Sequence, residues 1–196
     1  TIGTVIGATL GLLSGYFGGK TDAALRVLID VFLAVPSLLF LILIASVLRG
    51  LGVASIAVII GAFAWAWPAR AVRSQVLSLK ERPFVQVGLL SGLSGIEIVW
   101  SELMPHLLPW LGANFINAFI AAILTESGLS ILGLGSQRDT TLGTMIYWAL
   151  SYGALLQNMW WWWFLPVLAL IVLFLSLYLV HLGLDEVANP RLRTQV

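Results

Sequence analysis

Residues able to do chemistry are few in this chain, and they are scattered. Cysteine is absent, which removes thiol nucleophiles, thiolate metal ligands and disulfides. His106 and His181 lack a third convergent ligand with which to hold a metal. Ser127 or Ser130 with His181 supplies the nucleophile and base of an intramembrane protease, but the spans described below put them toward opposite membrane faces. Gly18-Gly19-Lys20-Thr21 ends like a phosphate-binding loop, yet that loop needs a glycine where Ser14 stands. No catalytic, cofactor or metal site is expected. Any nucleotide that drives this protein binds another subunit.

Four further polar residues sit in or beside apolar runs. Asp30 is expected to pair with Arg26, one helical turn earlier, and Glu126 to cap or anchor the Gly-Leu-Ser turn that follows it. Asn114 and Asn117 either face a polar pathway or hydrogen-bond between helices.

The elements that position these residues are membrane helices. The 196 residues are 60% hydrophobic and only 10% charged, against about 25% charged in a soluble domain. Lipid is therefore the main solvent. A net charge of +1, with no basic tract interleaved with aromatics, gives no nucleic-acid signal, and no such partner is expected. A span needs about 20 apolar residues, and five can be read: about 1–17, 27–48, 53–71, 107–124 and 161–184. The expected fold is all-α, a polytopic membrane helix bundle forming one domain over 1–196. Residues 125–160 form a loop folded back against the protein, with a short helix near 142–150. Trp160 to Trp163 suit the headgroup level. Gly3, Gly7, Gly11, Gly15 and Gly19 recur every four residues on one face of the first span, for tight packing within the chain or for a dimer interface.

Orientation follows from the basic residues. With the loop 80–109 in the cytoplasm, Lys20, Arg26, Arg70, Arg73, Lys80, Arg82, Arg191 and Arg193 lie inside, and Arg49 and Arg138 outside. The C-terminus is then cytoplasmic and the loop 125–160 external.

The loop 80–109 is patterned like two short helices joined by a turn. Pro83 suits a first helical turn, Gly92 a left-handed stop, and Ser94 with Glu97 a capping box that restarts a helix. Pro105 and Pro109 bracket the start of the next apolar run. Two readings fit: a docking element for a soluble partner, or an amphipathic loop on the membrane surface. In the first, Phe84, Val85, Leu89 and Leu90 fill a groove on the partner.

The loop resembles the EAA loop of permease subunits in ATP-binding-cassette importers. Aligned on Gly92 and Pro105, Gln86-Val87-Gly88 stands at the Glu-Ala-Ala triplet and Glu102-Leu103-Met104-Pro105 at the closing Ile-x-Leu-Pro. The stretch from Gly15 to Leu39, with Gly18, Gly19, Asp22, Arg26, Asp30 and Pro36, is similar to dipeptide, oligopeptide and nickel importer permeases. So are Ala69 to Val85, Glu126 to Gly135 and Leu184 to Arg193. The resemblance implies a type I importer permease fold with six spans, one of them expected before Thr1. It implies the second of two paired permeases in the plasma (inner) membrane of a bacterium or archaeon. Expected partners are the other permease, two cytosolic ATPases that bind ATP and Mg, and an external substrate-binding protein; peptide is the default cargo. The coupling residues it implies are Phe84, Val85, Gln86, Gly88, Leu89, Gly92, Ser94, Glu97 and Pro105. A membrane-embedded protease and a passive channel are the alternatives.

Overall fold

A computed structural model describes residues 1–48, 50–136 and 138–188, the last four as backbone only. Among these residues every regular element is helical: α1 Ile2–Phe17, α2 Gly19–Ala34, α3 Ser37–Val47, α4 Val53–Phe63, α5 Ala66–Leu79, α6 Pro83–Leu90, α7 Gly95–Glu97, a π-helical segment Ile98–Leu103, α8 Met104–Ile131, α9 Leu142–Ser151 and α10 Trp160–Ala188. Arg49, Arg191, Arg193 and the end of the Leu184–Arg193 motif lie outside the described residues.

The first glycine row packs within the chain. A Cβ on Gly7 would come within 2.4 Å of the Trp65 carbonyl oxygen, and one on Gly11 within 2.6 Å of that of Ala69. One on Gly15 would lie 2.8 Å from Val76 Cβ. Helix α1 therefore lies backbone-to-backbone on α5, and this face is not open for a dimer. Gly19 does not belong to the row. The helix has ended at Phe17, and Gly18 and Gly19 turn the corner into α2 with φ of 65° and 67°.

The apolar run 27–48 is not one straight span. It breaks at Val35–Pro36, and α2 and α3 meet at 71°. Pro36 has no N–H to give α2 and drives Val35 into extended backbone, φ −86° and ψ 125°. By contrast, the next run outlasts its expected end near Ala71. Helices α4 and α5 form a 27-residue run to Leu79, with a slight break at Ala64–Trp65 because Pro68 cannot donate back to Ala64.

Pro105 and Pro109 do not bracket a helix start. From Gly95 to Ile131 the chain is one helical run of 37 residues. The π-helical turns at Ile98–Leu103 precede Pro105 and absorb its missing donor, and Pro109 lies inside α8. Three runs are thus long and apolar enough to cross a membrane, or four if α2 and α3 make one broken span; α1, at 16 residues, is shorter.

Three buried clusters hold the bundle. The largest joins Leu12 of α1, Val72 and Val76 of α5, Val85 of α6, and Ile98, Leu103 and Leu107. Ile29 packs on Trp65, Ala66 and Ala69. Leu41, Ile56, Ile60 and Leu129 tie α3, α4 and α8 together. Helix α10 leans on α8 and α9 but leaves Leu168, Ile171, Val172, Leu175 and Leu179 exposed. Such a surface calls for cover by lipid or by another subunit.

Candidate functional site

The segment after α5 folds as its local signals require. Arg82 is extended, φ −76° and ψ 149°, and Pro83 opens α6. Gly92 stops α6 at φ 84°, where the Gly92 N–H donates to Leu89 O and the Leu93 N–H to Gly88 O, both at 3.1 Å. Ser94 and Glu97 then form the capping box. The Ser94 N–H donates to Glu97 Oε2 at 2.7 Å, and the Glu97 N–H to Ser94 Oγ at 3.4 Å.

The hairpin has a rooted face and a bare face. Val85 and Gly88 are buried, and Gly88 lets α6 lie against Leu93, Glu102 and Ile98. Phe84 is half-buried and stacks on His106, with ring centroids 4.4 Å apart and planes 10° apart. Gln86, Val87 and Leu89 point outward, and Leu90 is 88% exposed. Of the four residues expected to fill a partner's groove, Leu89 and Leu90 are therefore available; Phe84 and Val85 belong to the chain's own packing. Val87 was missed. Helical spacing from Pro83 puts residues 85 and 88 on one face and 86, 87 and 90 on another, so the signal was present. No spacing signal links Phe84 to His106. Pro105 sits in the first turn of α8, beyond the hairpin.

Beside the hairpin, Asp22 gathers three helices. It accepts from Ser14 Oγ of α1 and Arg73 Nε of α5, both at 2.5 Å, from Arg73 Nη2 at 2.8 Å and from Arg26 Nη2 at 3.2 Å. Arg26 therefore does not serve Asp30. Both carboxylates stand one turn from it, but Asp22 is buried and needs the charge more. Asp30 pairs instead with Arg70 of α5.

At the opposite end of α4 and α5, Glu126 anchors the turn after α8. Its Oε1 accepts from Ser130 Oγ at 2.7 Å and from Thr141 Oγ1 at 2.9 Å. Thr141 also caps α9 in a box with Thr144. Ser127 is buried beneath Gly143, where a Cβ would fall 2.7 Å from the Ser127 Cα. Asp139 accepts the Val53 N–H at 2.8 Å and Ser136 Oγ at 2.9 Å, binding this loop to the start of α4. These two bonds hold its carboxyl below the usual carboxylate range.

The break in the α2–α3 span borders a cavity of about 510 Å³, walled by α2 to α5 and α8. It separates the two asparagines. Asn114 Nδ2 donates to Trp110 O of its own helix at 2.9 Å, whereas Asn117 lines the cavity with Ser37 and Thr125. Among the described residues, no three of His, Asp and Glu converge as a metal site.

Comparison with known proteins gives a consistent answer. The family model for binding-protein-dependent transport system inner membrane components matches residues 7–194. The chain is 35% identical over 191 residues to the dipeptide transport system permease protein DppC of Lactococcus lactis subsp. cremoris (strain MG1363), covering 97% of this chain and 54% of that protein. It is 32% identical over 195 residues to the oligopeptide transport system permease protein OppC of Mycobacterium tuberculosis (strain ATCC 25618 / H37Rv), covering 98% and 66%. With the dipeptide transport system permease protein DppC of Bacillus subtilis (strain 168) the identity is 32% over 190 residues, covering 96% and 58%. The chain thus spans about half to two-thirds of the length of these curated relatives.

Proposed function

Since the chain belongs to the family of binding-protein-dependent transport system inner membrane components, we propose that it is a non-catalytic permease subunit of an ATP-driven peptide importer. It forms half of a translocation pathway and works with a second permease subunit. Two cytosolic ATPases bind ATP and Mg and dock on the hairpin, and a substrate-binding protein delivers the cargo from outside. The relatives named for dipeptide and oligopeptide transport support peptide as the cargo. The bias of the basic residues toward one side supports a cytoplasmic hairpin and C-terminus.

The observation that carries this reading is the hairpin itself. Its inner face, Val85 and Ile98, belongs to the largest buried cluster, while Val87, Leu89 and Leu90 stand bare at its tip. A push on the tip therefore moves α5 and α8, not a loose loop. Neither alternative gains an observation in its favour: Ser130 gives its hydroxyl to Glu126 and Ser127 is buried under Gly143, and a passive channel has no use for a rooted docking hairpin.

The test is co-purification of the ATPases with tagged variants at matched membrane levels. Leu90→Ala should cost about 2 kcal/mol of binding, roughly thirtyfold, as a buried interface anchor does. Phe84→Ala should lower thermal stability while retaining more ATPase than Leu90→Ala. Full retention of the ATPases by a Val87→Asp, Leu90→Asp double variant would remove the docking role.

A further inference from the structure

Asn117 stands roughly halfway along the 28-residue α8, in the wall of the cavity at the broken span. It is exposed, and its amide makes no hydrogen bond to any described residue. A bare amide at that depth is costly against lipid. The extended backbone at Val35, which shares the cavity, obeys the same constraint. Non-helical backbone at membrane depth persists where protein buries it or where it borders a water-filled space. Both features fit a cavity that water or solute reaches.

The lining restricts what enters. Phe32, Leu41, Ile60, Phe63 and Trp67 make most of the wall apolar. No Asp, Glu, Lys, Arg or His is among the lining residues. The Thr125 hydroxyl is already given to Ala121 O at 2.8 Å. A carboxylate or ammonium lodged here would lose water and gain no counter-charge. A divalent transition metal would find no imidazole, carboxylate or thiolate. The volume, about 510 Å³, falls within the range of small-molecule sites.

We propose that this cavity receives an uncharged, amide-bearing portion of the transported solute and that Asn117 recognises it. A carboxamide both donates and accepts, and so pairs with the C=O and N–H of a peptide group whatever side chain that residue carries. The apolar wall takes the side chain. This inference rests on the reading of the chain as half of a pathway.

The experiment uses the complete importer with its binding protein in proteoliposomes. The probes are trialanine, its N-methylated analogue, and the tripeptides Ala-Lys-Ala and Ala-Glu-Ala. Each result is a variant-to-wild-type ratio, so the binding protein's own selectivity cancels. Asn117→Leu should slow trialanine about tenfold, the worth of one hydrogen bond, and slow the N-methylated analogue, which keeps the C=O acceptor but has lost the N–H donor, by a smaller factor. Asn117→Asp should shift the Ala-Lys-Ala to Ala-Glu-Ala ratio about tenfold toward lysine. Unchanged ratios, in complexes that keep every subunit and their substrate-stimulated ATPase, would overturn the proposal. So would loss of the second permease from Asn117→Leu, which would put the amide at a subunit interface. A wild-type complex that assembles yet moves no peptide would instead sink the underlying reading, before any variant is made.

Discussion

Four hydrogen bonds converge on the Asp22 carboxylate, from Ser14, Arg26 and twice from Arg73. Arg73 is nearly enclosed, with a side chain 17% exposed, whereas Arg26 is 58% exposed. The two arginines should therefore differ sharply on replacement. Arg73→Met leaves a buried carboxylate without its main partner and should cost about 3–5 kcal/mol. Arg26→Met removes an exposed contact and should cost about 1 kcal/mol or less. Thermal unfolding in detergent measures both. Adding Asp22→Asn to Arg73→Met should recover much of the loss, since the stranded charge is then gone. Equal effects of the two single variants would show that Asp22 is not buried as described. Sequence could not choose among these pairings. Arg26 has a carboxylate one turn away on either side, and Arg73 is 51 residues from Asp22.

Among the elements, α1 and α5 meet closest. The contact depends on glycines whose missing Cβ atoms leave room for the α5 backbone. Gly11→Ala should push the helices apart and destabilise by about 1–3 kcal/mol, the usual cost of overpacking. Gly128→Ala in α8 is the control, because a Cβ there meets nothing within 4 Å. Melting temperatures of the purified variants decide it, and an Ala at 11 as stable as wild type would contradict the contact. The row was legible as a four-residue period, but its last member was not. Gly19 fits the period and yet lies past the end of α1, because Gly18 breaks the helix first.

In the whole molecule, two groups of features lie at opposite ends of α4 and α5. Asp139 reaches the Val53 N–H at the start of that run. Gly15 packs on Val76 near its end, and the hairpin's Gly95 abuts Tyr16 of α1 there. Hairpin and 138–141 loop are thus on opposite faces of any membrane the run crosses, and the proposed function takes the hairpin's face as the inner one. Cysteines at exposed Ser91 and Thr140 should label with an impermeant thiol reagent from opposite sides, Thr140 in intact cells and Ser91 only after permeabilisation. Labelling of both in intact cells would refute the topology.

What the sequence determined by itself was local or compositional. The lipid solvent follows from charge content, and the hairpin from Pro83, Gly92 and the Ser94–Glu97 box. These rest on backbone preferences and side-chain reach over one turn, which short-range order carries. Tertiary structure decided the rest. It turned Phe84 and Val85 inward and left Val87 and Leu90 out, because α6 must bury one face on a helix that follows it. It carried the helix from Gly95 through two prolines, because the preceding π-helical turns absorb the missing donor and the core holds Ile98 and Leu103 in place. It separated Asn114 from Asn117, three residues apart, because α8 presents one to its own backbone and the other to a cavity made by four other helices. Local rules cannot rank such choices, since each depends on which distant element arrives to cover a face.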